Sequence, residues 1–191
     1  MTDRETTILL TKLGFLYLKK MGCYNISTEI PILIRDHYQH ENDRHYHIDV
    51  LGISKKYIPY KEQKDENVKW FNVLRGIEIK VSKSDFKNGF IHGGCHYNYL
   101  MILKGLIEPS QVHTDVGIIE VDLETVAVKK PKFTTMQNQG FYLSGIQITR
   151  KPKPKKAEDW LVERILNSIS DTLTNQAKRW LVDELTKGKV G

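Results

Sequence analysis

The sequence is short of cysteine: Cys23 and Cys95 are the only two in 191 residues, and they share no CxxC spacing. Two thiols are too few for a disulfide framework, so both are expected as reduced thiols of a cytoplasmic protein. Long apolar runs are also missing. None reaches the roughly 18 residues a spanning helix needs. The opening Met1-Thr2-Asp3-Arg4-Glu5-Thr6-Thr7 has no basic segment ahead of its apolar residues, so neither a leader nor a membrane partner is expected. Internal repeats and low-complexity tracts are absent too.

What is present suits one proper core. With 40% hydrophobic residues in 191, the expectation is a single domain over residues 1–150, with residues 151–191 as a basic linker and C-terminal helical extension. The formal charge is +6 and the pI about 9.1, which favours anionic partners, nucleic acid above all. A solvated basic surface would give the same numbers. The sharpest asymmetry lies between residues 129 and 156. Lys129, Lys130, Lys132, Arg150, Lys151, Lys153, Lys155 and Lys156 stand there with no acid. Such a stretch can track a phosphate backbone with salt-sensitive affinity, or serve as a linker kept extended by Pro152 and Pro154.

Residues 73–85, Val-Leu-Arg-Gly-Ile-Glu-Ile-Lys-Val-Ser-Lys-Ser-Asp, organise the chain. Val73, Ile77, Ile79 and Val81 fit a pleated β-branched strand, and Glu78 and Lys80 alternate with them onto one face. Upstream, the apolar run His47-Ile48-Asp49-Val50-Leu51-Gly52-Ile53 carries one carboxylate, Asp49, separated from Glu78 by 28 residues. Carboxylates on adjacent strands suit a hard divalent cation that keeps waters for a phosphate-bearing substrate. A lysine two residues on can orient the attacking water or neutralise charge developing on the phosphate. A Glu/Lys pair facing solvent on an amphipathic strand has the same spelling, so the motif alone is weak.

Asp49 followed by Ile77-Glu78-Ile79-Lys80-Val81, then Ser84-Asp85-Phe86 opening a short helix, resembles the core of the PD-(D/E)XK, or restriction-endonuclease-like, nuclease superfamily. Within it, residues 76–86 are most similar to small bacterial and phage proteins of a DNA-repair nuclease-like kind. Ile48 stands where the family often has a proline before its first acid. The resemblance spans residues 3–130. It implies an α/β fold with a mixed central sheet flanked by helices, and a deoxyribonuclease with a magnesium (Mg2+) or manganese cofactor. Asp49, Glu78 and the Ile79 carbonyl would be ligands, with Lys80 catalytic. Glu29 resembles an acidic position on an earlier strand, and Glu5 could approach the site from the first helix. The rival reading is a nucleic-acid-binding module that keeps the fold without hydrolysis.

The remaining elements test that order. Ile8, Leu9, Leu13, Leu16 and Tyr17 make an amphipathic helix over residues 3–21, closed by Lys19-Lys20-Met21-Gly22, with Glu5 in a first turn that favours acids. Residues 24–34 form a strand, at an edge or irregular because Pro31 cannot donate to a ladder. His37, His40, His45 and His47 crowd a loop without Cys or helical His pairing, better suited to phosphates than to zinc. Residues 54–69 form a mildly basic loop. Ser82 caps a short helix ended by Gly89, and a fourth strand runs over residues 95–103. Lys83, Lys87 and His92 beside the presumed site are candidate phosphate contacts. A fifth strand covers residues 116–121, with residues 125–128 as its hairpin partner. From Ala157 an apolar stripe of Leu161, Ile165, Leu166, Ile169, Leu173, Trp180, Leu181 and Leu185 marks a helix, which leaves homodimerisation through that helix open.

Overall fold

The structure, a computed structural model, describes residues 1–34, 44–57, 70–89, 94–129 and 141–157, together with Val162, Glu163, Leu166, Asn167 and Ser170. At residues 31–34, 44–46, 57 and 70 it describes the backbone alone. Helix α1 (Asp3–Lys20) is followed by strands β1 (Asn25–Ile34), β2 (Arg44–Tyr57) and β3 (Trp70–Lys80), the short helix α2 (Lys83–Lys87), and β4 (Tyr97–Leu103). That is the helix, three strands, helix, strand order expected. β5 (Gly117–Val121), β6 (Ala127–Lys129), β7 (Tyr142–Ser144) and β8 (Ile146–Arg150) complete it.

The fold is mixed α/β. One six-stranded sheet has the order β1-β2-β3-β4-β5-β8. β1, β2 and β3 pair antiparallel, β3, β4 and β5 parallel, and β5 and β8 antiparallel. β1 is an edge strand, which is where Pro31 is tolerated.

α1 starts as its sequence dictates. Thr2 Oγ1 accepts the Glu5 N–H at 3.3 Å and the Glu5 carboxylate accepts the Thr2 N–H at 2.8 Å, a reciprocal cap that satisfies two helix-end donors. Its Leu10, Leu13, Tyr17 and Leu18 are buried against Val50, Ile77, Ile79, Tyr99, Met101, Ile119 and Val121 on one sheet face. Each such side chain contributes about 1.5–3 kcal/mol on burial. The opposite face carries Ile30, Ile48, Leu51, Ile53, Leu74 and Cys95, with Val162 and Leu166 packed on them. A third cluster there joins Leu100, Ile102, Val116 and Ile118 to Ile107 and Val112.

The strands β1 and β2 change faces midway. Ile26 packs with the α1 cluster and Ile30 with the opposite one, although even spacing on a regular strand keeps residues on one side. Val50 and Ile48 divide the same way. The fault sits at Glu29, whose φ of 55° is the only positive value on a non-glycine among the described residues, a conformation that costs on the order of 1–3 kcal/mol.

Three expectations are corrected. Residues 125–128 do not pair with β5: β6 pairs with β7 in a separate two-stranded sheet. The partner of β5 is β8, which lies inside the stretch read as basic and linking. Finally, Arg150 is not free for phosphate. Its guanidinium donates to the carbonyls of Pro109, Val112, His113 and Val116 at 2.7–3.2 Å. Lys153 and Lys155 reach Asp115 at 3.3 and 3.9 Å. The backbone here is tied to the segments that lead into β5 and β4: the Lys153 N–H donates to Asp115 O and the Lys155 N–H to His96 O. Among the described residues no helix is long and apolar enough to cross a membrane.

Candidate active site

The β2–β3 ladder is regular from Tyr57 opposite Trp70 to Val50 opposite Ile77. One step further, that register sets Asp49 opposite Glu78, and the ladder ends. Asp49 Oδ2 accepts the Ile79 N–H at 2.6 Å, so a side chain bridges the strands where backbone pairing would otherwise continue. β2 keeps its pairing with β1 out to Ile34 opposite Arg44. The two strands on either side of Asp49 thus part at that residue.

On β3, Glu78 and Lys80 lie on one side, with side chains only 14% and 11% exposed. Lys80 Nζ stands 3.5 Å from Glu78 Oε1 and 3.3 Å from Asp85 Oδ1. Asp85 Oδ2 accepts the Val81 N–H at 3.3 Å, and Ser82 Oγ accepts the Asp85 N–H at 3.2 Å as the cap of α2. A single buried cation therefore faces several acids.

The carboxyls respond to this crowding. Burial pushes Glu78 up to about 7, helped by the Asp49 charge and opposed by Lys80. Burial raises Asp49 to about 6 against the pull of the Ile79 N–H, and Glu29 adds to the rise. Desolvation and like charges thus outweigh the nearby ammonium, and strongly perturbed acids in a cluster mark a candidate functional site.

The structure brings Asp49, Glu78, Ile79 and Lys80 together. Glu29 lies on β1 where the register between Thr28–Val50 and Ile30–Ile48 sets it opposite Asp49, close enough for its charge to be felt there. Glu5 is spent on its own helix cap. Lys83 and Lys87 are exposed on α2, beside the site. His92 lies outside the described residues, as do His37, His40 and most of the C-terminal stripe. His96 Nδ1 accepts the Leu74 N–H at 3.1 Å, which ties that ring to β3. Asp85 joins this cluster too, although the sequence motif names only Asp49, Glu78 and Lys80. Its spacing from Lys80, across the turn into a capped helix, was the signal available.

The donors suit a hard cation. Magnesium is held by one or two carboxylates and keeps several waters, and Asp49 and Glu78 supply two half-buried carboxyl groups whose ionisation a cation would favour. Among the described residues no three His, Cys, Asp or Glu side chains are gathered to hold a metal ion, so Asp49 and Glu78 would need backbone oxygen or water to complete the set.

No family model and no curated protein matches the chain. Among solved structures, a protein of unknown function from Silicibacter pomeroyi is similar to it. The two share 13% identity with a TM-score of 0.48, over 87% of this chain and 85% of that one. A likeness at that level carries no argument about function.

Proposed function

We propose that the protein is a metal-dependent nuclease that hydrolyses DNA phosphodiester bonds on a restriction-endonuclease-like core, with Asp49, Glu78 and Lys80 as its working residues. The observation that carries this reading is the pair Asp49–Glu78, half-buried and set opposite each other by register at the point where the β2–β3 ladder ends, with Lys80 on the same side of β3 as Glu78. An extended residue turns its N–H and C=O to the same strand edge, so the Ile79 carbonyl faces Asp49 too and can complete a ligand set. A bound magnesium or manganese ion would supply Lewis-acid polarisation of the phosphate.

The protein's own groups do the rest. Asp49 and Glu78 would hold the cation. The Lys80 ammonium, kept between Glu78 and Asp85, neutralises charge developing on the phosphate and orients the attacking water. The water oxygen bonds to phosphorus and gives up a proton to bulk water. The bond from phosphorus to the leaving oxygen breaks, and that oxygen takes up a proton from bulk water, so one water is consumed per bond cut. Glu29, set opposite Asp49 on β1, adds its negative charge to the site. The net charge of +6 favours a polyanionic substrate.

One observation favours the rival reading, a nucleic-acid-binding module without hydrolysis: the lack of a third gathered ligand among the described residues. Labelled single-stranded, duplex and branched DNAs incubated with the purified protein and magnesium or manganese separate the two. Cleavage that needs the metal and is lost in folded Glu78→Ala and Lys80→Ala variants upholds the nuclease. Binding without cleavage in any metal, equal in wild type and variants, establishes the binding module instead.

A further inference from the structure

Helix α2 is a wall with two working sides. Asp85 turns toward Lys80 at 3.3 Å. Lys83, Phe86 and Lys87 fall at positions i, i+3 and i+4, which share a helix face, and line an open groove of about 310 Å³. Leu106 and Ile107 add to its apolar surface, while Glu108 and Gln111 stand across from the lysines. The far rim is held in shape by its own bonds: Gln111 Oε1 accepts the Glu108 N–H at 3.1 Å, inside a capping box at the Pro109–Gln111 turn. With its oxygen so used, the Gln111 amide nitrogen remains a donor.

We infer that this groove holds one unpaired nucleotide of the DNA strand being cut, its base against Phe86, Leu106 and Ile107 and its phosphates at Lys83 and Lys87. This rests on the nuclease reading above and names the form of its substrate, a single-stranded or frayed segment next to the site.

Three features of the groove support that occupant. The two lysines on one rim complement a phosphate backbone, which positions a strand without reading it. The floor is apolar with one aromatic ring, the composition on which bases of any sequence stack. The volume lies at the small end of ligand sites, suited to one nucleotide and too small for a duplex. Moreover, the groove adjoins the site: Asp85, which pairs with Lys80 at 3.3 Å, is followed on α2 by Phe86 in the groove lining. A helix with its side chains is about 10–12 Å across, so a nucleotide in the groove and a phosphate at Lys80 can belong to one strand.

The test measures binding of a fluorescein-labelled 12-mer of thymidylate and of a hairpin duplex of the same length, with magnesium and with EDTA. Phe86→Ala is expected to weaken the single strand about tenfold and the duplex less than twofold. Lys83→Ala/Lys87→Ala is expected to weaken both to a similar extent. Because Phe86 also packs on the Leu100–Ile118 cluster, a second measurement uses the wild-type protein alone. A 12-mer carrying 5-iodouracil is photo-crosslinked, and the attached peptides are mapped; crosslinks are expected at Phe86 or within residues 105–111. If the wild type binds DNA but crosslinks fall outside those residues, or folded Phe86→Ala binds the single strand unchanged, the groove assignment is overturned while the nuclease reading stands. If the wild type binds neither DNA, both are overturned.

Discussion

Lys104 and Lys80 each meet a carboxylate, and the outcomes run in opposite directions. Lys104 Nζ lies 2.9 Å from Asp122 Oδ2 at the surface. The hydrogen bond from Lys104 holds Asp122 below its usual range, while the same bond raises Lys104. Lys80 lies 3.5 Å from Glu78 in a site where neither side chain is more than 14% exposed, yet Glu78 rises to about 7 because burial dominates. The surface pair settles its own charges. The buried group does not, because one ammonium is shared by Glu78 and Asp85 with Asp49 adjacent, and water is scarce. An arrangement that leaves negative charge in excess is poor for the isolated protein and good for taking up a cation.

The largest effect that sharpens this contrast is on activity. Glu78→Gln keeps the shape and removes the charge, so metal-dependent cleavage should fall by on the order of 10²–10³, the scale for loss of one preorganised electrostatic group. Asp122→Asn should leave kcat unchanged. A Glu78→Gln enzyme that cuts at the wild-type rate would make the two pairs equivalent and end the proposal.

Next comes pH, where activity and stability should move oppositely. As pH falls, Glu78 takes up its proton near 7 and Asp49 near 6. Cation-dependent cleavage should decline through that window. For folding the sign reverses. Glu78 has a folded pKa above its ordinary 4.5, so the folded state binds the proton more tightly. Its stability is full below about 4.5 and is lost as pH rises to about 7. The loss is about 3 kcal/mol for the charged form, at roughly 1.4 kcal/mol per pKa unit. Glu78→Gln should therefore resist urea better than wild type at pH 8 and equally at pH 4.5. Magnesium should raise the wild-type melting temperature at pH 8 and leave Glu78→Gln much less changed.

A smaller effect probes the sheet beneath the site. A Cβ on Gly76 would lie 2.9 Å from Cys95 Sγ, and one on Gly52 2.9 Å from Cys23 Sγ. Both thiols are buried, and burial raises Cys95 to about 12, so neither is a nucleophile at neutral pH. Gly76→Ala should cost about 1–3 kcal/mol through overpacking, read as a lower urea midpoint, and Cys95→Ala in the same chain should restore part of it. The smallest expected effect is at the surface pair: Asp122→Asn should leave the melting temperature within experimental error, as exposed ion pairs commonly do.

Much of this was legible because it is local. The apolar spacing of α1, the alternation of β3 and the Ser82 cap of α2 each concern residues within a turn or two of one another, so period and capping chemistry suffice to read them. Asp49 and Glu78 were readable as a pair through the spacing of a familiar motif. β8 was not. Ile146-Gln147-Ile148-Thr149-Arg150 has a strand's alternation, but it lies among lysines and carries little apolar weight, and its order comes from pairing with β5. Asp85 was legible as an acid at the opening of a short helix, not as part of the charge cluster around Lys80. Glu29 was legible as an acid on an early strand, but nothing in Thr28-Glu29-Ile30 announces a left-handed backbone.

By itself, the sequence determined the order of elements from α1 to β5, that a Pro-bearing strand is at an edge or irregular, and which carboxylates could meet, because these follow from backbone periodicity and residue chemistry along the chain. Only the tertiary structure decided that the β2–β3 ladder stops at Asp49, that Lys80 is shared between Glu78 and Asp85, and that α2 separates the site from a groove. Those depend on strand register and on the exclusion of water, which arise only when segments distant in sequence pack together.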